Sequence, residues 1–322
     1  MSDKKRVMVV DQLNMFFRAY IVDPSLSSNG QPIGGIKGCL KILQKLCKDI
    51  KPDKIVICWD GPGGSARRKA MNKGYKSGRK PLRLNRDIRT LSEEQERENK
   101  AWQQLRVIEY FNQLPVIQLM YPGIEADDVI SYVCSSKEYS GWQKVVVSSD
   151  KDFFQLVDNE TIIYRPTQKE VVSCLSLKEK FNISPQNFAL ARAIVGDPSD
   201  NLDGIKGAGL KTVAKRFPLL SEDNSVTLDK LIEYSSDQAE NTNIKIYQNV
   251  LTSSDLVSRN YKMMQLYTPM LDPGTKKNIN SILERPDLSF NKTELKTMMI
   301  GDGFGEYNWN ELYSTSKRLS IY

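Results

Sequence analysis

The sequence predicts an α/β domain built on a doubly wound, mostly parallel sheet, followed by a helical C-terminal region. Two observations predict this fold class. Short runs of apolar, β-branched residues alternate with helical patterns over roughly the first 175 residues, and from about residue 180 helices with glycine-rich turns replace the strand pattern. A chain of 322 residues is about twice the ~150 residues expected for one domain. We therefore expect two domains, 1–178 and 179–322.

The strands and helices of the first domain follow from the spacing of apolar residues. Continuous apolar runs predict strands covered on both faces, at residues 7–10, 54–59, 144–147 and 161–164. Apolar residues at helical spacing predict helices over 35–50, 93–114 and 124–134. The last of these begins with acidic residues, which suit the positive end of a helix dipole.

The composition excludes several classes of chemistry. The chain contains no histidine, so it holds neither a Ser-His-Asp triad nor a His-ligated zinc or iron site. Its five cysteines are scattered and never closely paired, which favours buried free thiols in a reducing compartment. A metal ion would therefore be bound by oxygen atoms. The short apolar run near the N-terminus ends at Asp11, so we expect no signal peptide or membrane span and a soluble, intracellular protein.

Positive charge is concentrated in one segment. The chain has 46 Lys and Arg residues against 39 Asp and Glu residues, a net charge of +7. Ten of the basic residues, against the single acid Asp87, lie between Arg67 and Arg89. Such a segment is expected outside the core, either as a solvated loop or as a surface that meets an anion. Tyr75 within it is expected to stack on a nucleic-acid base.

Acidic residues follow three of the predicted strands. Asp11, Asp60, and Asp150 with Asp152 come directly after apolar runs. A single aspartate there is usually a turn residue or a helix N-cap. The carboxyl ends of parallel strands share one edge, where open α/β folds bind ligands, so three such positions predict a cluster of carboxylates.

Two further segments add carboxylates to the expected cluster. In the first, the i, i+3 spacing places Glu125 and Asp128 on one helix face, with Asp127 beside them. In the second, Asp197 and Asp200 flank Pro198, which favours a loop. Sites rich in carboxylate oxygens suit hard cations such as Mg²⁺, and two such ions support hydrolysis of a phosphodiester.

A glycine-rich turn follows the last acidic pair. Residues 204–212 read Gly-Ile-Lys-Gly-Ala-Gly-Leu-Lys-Thr. Glycines at this spacing allow a tight turn between helices and close approach of the backbone to a phosphate. No apolar strand precedes the turn, so a dinucleotide-binding fingerprint is a poorer interpretation than a helix–turn–helix that contacts a nucleic-acid backbone.

Taken in order, these motifs resemble the 5′-nuclease (flap endonuclease) family. The resemblance lies in the acidic motifs, in Tyr-Lys-Ser-Gly-Arg at 75–79, and in the glycine-rich turn. It is strongest to stand-alone bacteriophage 5′→3′ exonucleases, also called phage ribonuclease H, and to the 5′-nuclease domain of bacterial DNA polymerase I. It covers about residues 7–215.

The resemblance implies a PIN-like catalytic domain with a basic helical arch at about 61–100 and a helix–three-turn–helix at about 190–218. It implies two Mg²⁺ ions, replaceable by Mn²⁺, and a K⁺ ion at the glycine-rich turn. The implied metal ligands are Asp11, Asp60, Glu125, Asp127, Asp128, Asp150, Asp152, Asp197 and Asp200. The implied catalytic residues are Lys76, Arg79, Asp11 and Asp60. The expected nucleic-acid contacts are Arg67, Arg68, Lys73, Tyr75, Lys76, Arg79, Gly204, Lys206, Gly207, Gly209, Lys211 and Thr212.

The function implied is Mg²⁺-dependent cleavage of DNA with a 5′ flap, a nick or an RNA primer during replication. The enzyme is expected to act as a monomer in a bacterial or phage-infected cytoplasm, with a single-strand-binding protein or a sliding clamp as suggested partners. Two alternatives remain: a PIN-type single-strand ribonuclease, which needs only about four acids, and a non-catalytic DNA-binding protein, which predicts missing carboxylates. All nine carboxylates are present.

Overall fold

The computed structural model describes residues 4–79, 83–88, 91–285, 288–305 and 307–319. Within those residues it contains one six-stranded sheet and fourteen α-helices, which confirms the predicted α/β class. The strands are β1 (Arg6–Asp11), β2 (Lys54–Trp59), β3 (Ile117–Met120), β4 (Gln143–Val147), β5 (Thr161–Arg165) and β6 (Glu170–Val172). The helices are α1 (Gln12–Val22), α2 (Gly34–Ile50), α3 (Ala66–Met71), α4 (Glu93–Phe111), α5 (Ala126–Cys134), α6 (Cys174–Phe181), α7 (Pro185–Val195), α8 (Leu210–Arg216), α9 (Leu228–Asn241), α10 (Lys245–Thr252), α11 (Ser254–Met264), α12 (Pro273–Leu283), α13 (Lys292–Gly301) and α14 (Trp309–Leu319).

The sheet places three predicted strands side by side. Its strand order is β3-β2-β1-β4-β5-β6, and only β6 runs antiparallel to its neighbour. Val10 of β1 is in register with Ile57 of β2 on one side and with Val147 of β4 on the other. The carboxyl ends of β2, β1 and β4 are therefore adjacent at one edge.

Both faces of the sheet are buried, as the continuous apolar runs predict. Successive strand residues point to opposite faces, so Val7 and Val9 of β1 join one hydrophobic cluster while Met8 and Val10 join another. The cluster around Val7 and Val9 extends through α5 into helices α6–α12. The helical half of the chain thus shares a continuous core with the sheet.

The last two helices of the chain pack against the sheet. Buried side chains of α13 and α14, among them Leu295, Met299 and Leu312, pack into the cluster that contains Met8 and Val10. The Tyr307 hydroxyl donates a hydrogen bond of 2.9 Å to Gln44 Oε1 on α2. The chain therefore crosses back onto the face of the sheet that α2 covers, because this face offers an apolar surface for the last two helices.

The predicted arch at 61–100 contains the basic segment and the first residues of the predicted helix over 93–114. Lys80 and Arg89 lie outside the described residues, and the rest is not wholly exposed. Residues from Glu93 onward belong to α4, which begins at a Ser92 capping box and buries Val107 and Tyr110 in the core. The shorter helix α3 packs against α11. Helix α4 agrees with the predicted helix over 93–114. Between Arg67 and Arg89, Tyr75 is buried and Leu84 joins the cluster that contains Met8 and Val10, so the expectation that this segment stays outside the core is wrong for these two residues.

No helix among the described residues has the length and apolarity required to cross a membrane.

We expect the packing of α13 to contribute strongly to stability. Met299 is fully buried, whereas the next residue, Ile300, is 62% exposed. Met299→Ala should lower the free energy of unfolding by about 2–5 kcal/mol, since it removes buried apolar volume and leaves a cavity. Urea denaturation followed by circular dichroism measures the loss. Ile300→Ala is the matched control and should change stability by no more than about 0.5 kcal/mol; equal losses would contradict the described docking of α13.

Candidate functional site

The predicted cluster of carboxylates forms at the carboxyl edge of the sheet. Asp11 ends β1, and its side chain accepts hydrogen bonds from Asn14 N at 3.2 Å and from Ser148 Oγ at 2.9 Å. Asp60 follows β2 and accepts a 2.6 Å hydrogen bond from Ala126 N. Asp11 therefore caps α1, as a single aspartate after a strand usually does, whereas Asp60 binds the first N–H group of the distant helix α5.

Crowding of these carboxylates changes their proton affinity. Burial, together with the charge of Asp60, raises the pKa of Asp11 to about 7. Burial and the charge of Asp150 likewise raise the pKa of Asp152 to about 7 and that of Asp127 well above its usual value. Burial also raises the pKa of Asp60. Four acids from separate parts of the chain thus repel one another, a condition that a bound cation relieves.

Glu125 and Asp128 do share one face of α5, but the cation between them is an arginine. Arg68 Nη1 donates to Glu125 Oε2 and to Asp128 Oδ2, each at 2.7 Å, and Arg68 Nε donates to the carbonyl of Met263 at 2.9 Å. The other oxygen of Asp128 accepts from Met270 N at 2.9 Å. Both oxygens of Asp128 are therefore bonded to protein groups. The predicted metal ligand Asp128 and the predicted nucleic-acid contact Arg68 are here a buried ion pair.

Glu125 is held by several donors at once. Lys76 Nζ lies 2.6 Å from Glu125 Oε1, and Ser65 Oγ donates to the same oxygen at 2.9 Å. The Tyr75 hydroxyl donates to Oε2 at 3.2 Å, and its ring is buried. The expected stacking of Tyr75 on a base is therefore incompatible with this arrangement. Burial tends to raise the pKa of Glu125, but the charges of Lys76 and Arg68 outweigh it, and this pKa falls below its usual value.

A second arginine, which was not among the predicted site residues, binds two of the predicted metal ligands. Arg192 of α7 donates from Nε to Asp152 Oδ1 at 2.9 Å and from Nη2 to Asp197 Oδ2 at 2.5 Å. Burial tends to raise the pKa of Asp197, but hydrogen bonds from Ser199 and the charge of Arg192 outweigh it, so this pKa is lowered. The available signal was a single arginine, the one charged residue of helix α7, five residues before Asp197.

Arg79, the other predicted catalytic cation besides Lys76, also binds one of the predicted acids. Its guanidinium contacts the carboxylate of Asp200 and donates from Nε to the carbonyl of Ser199 at 3.1 Å. Lys76 lies deeper, with its ammonium 4.9 Å from the centre of the Tyr75 ring. Burial tends to lower the pKa of Lys76, but the charges of Glu125 and Asp127 outweigh this effect, so the pKa is raised. Both predicted catalytic cations therefore lie at the acidic cluster and are charged.

The chemistry of the donors suits a hard cation. Within the described residues, no three acidic side chains converge closely enough to enclose a metal ion. However, Asp11, Asp60, Asp127, Asp150 and Asp152 supply only oxygen donors and lie close enough for the pKa of several to be raised by a neighbour's charge. Their partly or fully exposed side chains are open to ions from solvent. These five residues fit a divalent ion such as Mg²⁺, whereas Asp128 does not.

The glycine-rich turn joins α7 to α8, as predicted. Gly204 is required by close packing, since a Cβ atom there would lie 1.9 Å from the carbonyl oxygen of Val195. Gly207 has a φ of +81°, which glycine adopts without strain. Ile205 anchors the turn in the core through a 2.8 Å hydrogen bond to the Ile194 carbonyl. The turn is therefore rigidly attached to the helix that carries Arg192.

The remaining predicted nucleic-acid contacts lie on the surface to different degrees. The exposed ones are Arg67, Lys73, Arg79, Lys206, Gly207, Gly209 and Lys211, while Gly204 and Thr212 are partly exposed. Arg67 also donates to the carbonyl of Met270. Lys206 and Lys211 present positive charge beside backbone that can approach a phosphate closely, so the geometry is compatible with contact to a nucleic-acid backbone.

Comparison with known proteins identifies the family. Residues 6–182 match the family model for the 5′-3′ exonuclease N-terminal resolvase-like domain, more than half of the chain. The chain belongs to the 5′-3′ exonuclease family. It is 29% identical over 302 residues to a 5′-3′ exonuclease from Aquifex aeolicus, covering 91% of this chain and 92% of that protein. It is 31% identical over 213 residues to the thermostable DNA polymerase I of Thermus aquaticus, covering 66% of this chain but only 24% of the polymerase.

Solved structures confirm the fold of this nuclease. Bacteriophage T5 5′-exonuclease with bound zinc superposes with a TM-score of 0.68 at 20% identity, covering 87% of this chain and all of that one. Human GEN1 in complex with Holliday junction DNA gives a TM-score of 0.56 at 12% identity, covering 98% of this chain and 71% of that one. The predicted PIN-like α/β fold with a helical C-terminal region is thus confirmed.

We expect Arg68 to act through stability. Arg68→Ala leaves the buried carboxylates of Glu125 and Asp128 without their shared partner and should cost about 3–5 kcal/mol in the free energy of unfolding. Chemical denaturation measures this loss. Arg67→Ala, which removes an exposed neighbour on the same helix, is the control and should cost under about 1 kcal/mol. A stable Arg68→Ala protein with weakened DNA binding would contradict the structural role.

We also expect divalent ions to stabilise the nuclease in a pH-dependent way. The raised pKa values of Asp11 and Asp152 mean that the ion-free folded protein binds protons more tightly than the unfolded chain, so its stability falls as pH rises from the ordinary aspartate pKa towards 7. Mg²⁺ or Mn²⁺ competes with those protons. The ions should therefore raise the melting temperature more at about pH 8 than at about pH 5.5, with about 2.7 kcal/mol gained at 100 times Kd.

Thermal melts of the Asp127→Asn variant provide the control for the ion effect. This substitution removes one repelling charge, so it should raise the melting temperature without ions and reduce the gain with them. Asp229→Asn, on an exposed part of α9, should leave both unchanged. An ion effect that is the same in all three proteins would contradict binding at the acidic cluster.

Proposed function

We propose that this protein is a Mg²⁺-dependent, structure-specific 5′ nuclease that cleaves DNA bearing a 5′ flap, a nick or an RNA primer. The observation that supports it most is the placement of Lys76 and Arg79 beside a cluster of mutually repelling aspartates at the carboxyl edge of the sheet. Nuclease activity belongs to the family. The metal, the two-ion mechanism and the RNA-primer substrate are our inference.

Each group of residues has a distinct part in this proposal. Asp11, Asp60, Asp127, Asp150 and Asp152 would hold two Mg²⁺ ions, for which Mn²⁺ can substitute. When bound, such ions activate water and stabilise the charge that develops on the phosphate. Asp197 is held by Arg192 and Ser199, and Arg192 also binds Asp152. Glu125 holds the ammonium of Lys76 at the edge of the cluster.

Lys76 and Arg79 supply the positive charge that contacts the scissile phosphate. Their ion-pair partners, Glu125 and Asp200, are two of the nine predicted acids. A phosphate that reaches these acids therefore meets both cations. Charged donors placed in advance lower the energy of the transition state because they need not reorganise during the reaction. Hydrolysis would leave a 5′-phosphate and a 3′-hydroxyl.

The turn between α7 and α8 would hold the duplex. Lys206, Lys211 and Lys215 are exposed around it, and their contacts to phosphates would carry no sequence preference. A K⁺ ion at the turn, and a clamp or single-strand-binding partner, are further parts of the proposal. The duplex-binding turn favours this substrate over a single RNA strand, and the presence of every predicted carboxylate favours an enzyme over a non-catalytic binding protein.

The proposal is tested with defined substrates. We expect purified protein to release a short 5′-labelled product from a flapped DNA duplex and from an RNA–DNA hybrid when Mg²⁺ or Mn²⁺ is present. Addition of a chelator should abolish the product, and excess metal should restore it. Absence of any metal-dependent product from the 5′ end would overturn the proposal, and cleavage of single-stranded RNA alone would favour the ribonuclease alternative.

Two variants of the same segment serve as internal controls. Lys76→Ala should slow the single-turnover cleavage step on the order of 100-fold or more, as expected for loss of an electrostatic donor, while the Kd for flap DNA changes little. Lys73→Ala removes an exposed lysine three residues earlier and should lower the rate far less. Equal losses of rate and affinity for Lys76→Ala would assign it to anchoring of the phosphate.

A further inference from the structure

Two turns that are distant in sequence are joined beside the acidic cluster. Asn201 Nδ2 donates to the carbonyl of Gly74 at 2.9 Å and to Ser77 Oγ at 3.0 Å. Next to these bonds, Lys76 N donates to the carbonyl of Asp200 at 2.8 Å. We call these three hydrogen bonds the 74–201 latch. They join the turn that carries Lys76 to the turn that carries Asp200.

The latch holds a backbone conformation that lysine rarely adopts. Lys76 has a φ of +55°, in the left-handed region, and Asn201 has a φ of +56°. Asparagine enters this region at a lower cost than lysine does. Such outliers persist where neighbouring contacts over-determine them, and they concentrate at functional sites. Here Asp200 binds the backbone of Lys76 directly, and Asn201 binds Gly74 and Ser77 on either side of it.

The conformation of Lys76 decides where its side chain lies. With the backbone held by the latch, the ammonium is 2.6 Å from Glu125 Oε1. Three residues further on, Arg79 contacts both Ser199 and Asp200 of the opposite turn. Position 74 suits a glycine, because a Cβ atom there would lie 3.0 Å from Asn201 Nδ2 and would crowd this amide. The side chain of Asn201 is therefore the contact through which one turn sets the position of the other.

The turn at Asn201 is also continuous with the proposed duplex-binding element. It is tied by a two-way backbone pairing between Asp197 and Leu202, and it leads directly into the glycine-rich turn before α8. Leu202 is buried in a small cluster with Tyr75, the residue that precedes Lys76. Packing and hydrogen bonds thus connect the element that would bind the duplex to the residues that would contact the phosphate.

We propose that Asn201 is a positioning residue, which holds Lys76 and Arg79 against the acidic cluster and leaves duplex binding to other residues. This inference rests on the proposed function and deepens it. Without the Asn201 amide, the turn at 74–77 loses two of its three latch bonds, and Lys76 can relax out of the left-handed conformation. The cations then spend less time at the phosphate, so turnover falls while affinity for the duplex remains.

The test compares two left-handed asparagines. Asn201→Gly keeps the backbone conformation available and removes only the amide, so we expect kcat on flap DNA to fall on the order of tenfold while KM and the Kd for DNA change less than about twofold. Asn182 ends α6 with a φ of +51° and is exposed. Asn182→Gly makes the same change away from the site and should leave kcat unchanged.

A second measurement does not depend on activity. Limited trypsin digestion of the intact protein should cleave after Lys76 or Arg79 faster in Asn201→Gly than in wild type, and at the wild-type rate in Asn182→Gly.

If Asn201→Gly proves unstable, Ser77→Ala, which removes one latch bond, should lower kcat by about threefold. Unchanged kcat and digestion in Asn201→Gly, or equal kcat losses in both asparagine variants, would overturn the inference. A wild-type protein that cleaves no flap would overturn the proposed function instead, and the digestion would still report on the latch.

Discussion

Repulsion among carboxylates at one edge of a parallel sheet is the constraint on which the rest of this structure depends. The fold meets it in two ways. Buried cations pair with some of the acids, as Arg68 does with Glu125 and Asp128 and as Arg192 does with Asp197. The other acids, such as Asp11, keep their repulsion and a raised pKa. This division separates acids that maintain the architecture from acids that are available to an ion.

The net charge is the sum of an acidic site and a basic remainder of the chain. A net charge of +7 is modest, but setting aside the nine acids of the predicted site leaves 30 acids against 46 basic residues. The rest of the chain is therefore much more attractive to phosphate than the total suggests, while the predicted site itself is strongly acidic. Cations such as Lys76 and Arg79 lie where these two regions meet, which is where a polyanionic substrate has to approach the acids.

The core explains how so many loops are held together at one edge. One hydrophobic cluster extends from Val7 of β1 through α5 into α7 and the helices beyond, so the acids of α5 and of the turn after α7 are carried on a common body. The opposite cluster receives α13 and α14 from the end of the chain. Because both faces of the sheet are covered, its carboxyl edge remains the open surface at which the site forms.

Local sequence pattern determines much of the secondary structure of this protein, whereas several side-chain contacts at the site depend on tertiary structure. The positions of four strands (β1, β2, β4 and β5) and three helices (α2, α4 and α5) follow from periodicity and spacing within one element. So do the carboxylates after β1, β2 and β4 and the shared face of Glu125 and Asp128. The pairing of Arg68 with residues 57 and 60 positions away, the burial of Tyr75, the role of Arg192 and the docking of α13 on the α2 side do not. Spacing specifies which side chains share a face, but the partner that neutralises a buried charge is chosen by packing between distant segments. Only the folded structure therefore decides which of the nine acids are bound by protein cations and which remain available to a metal ion.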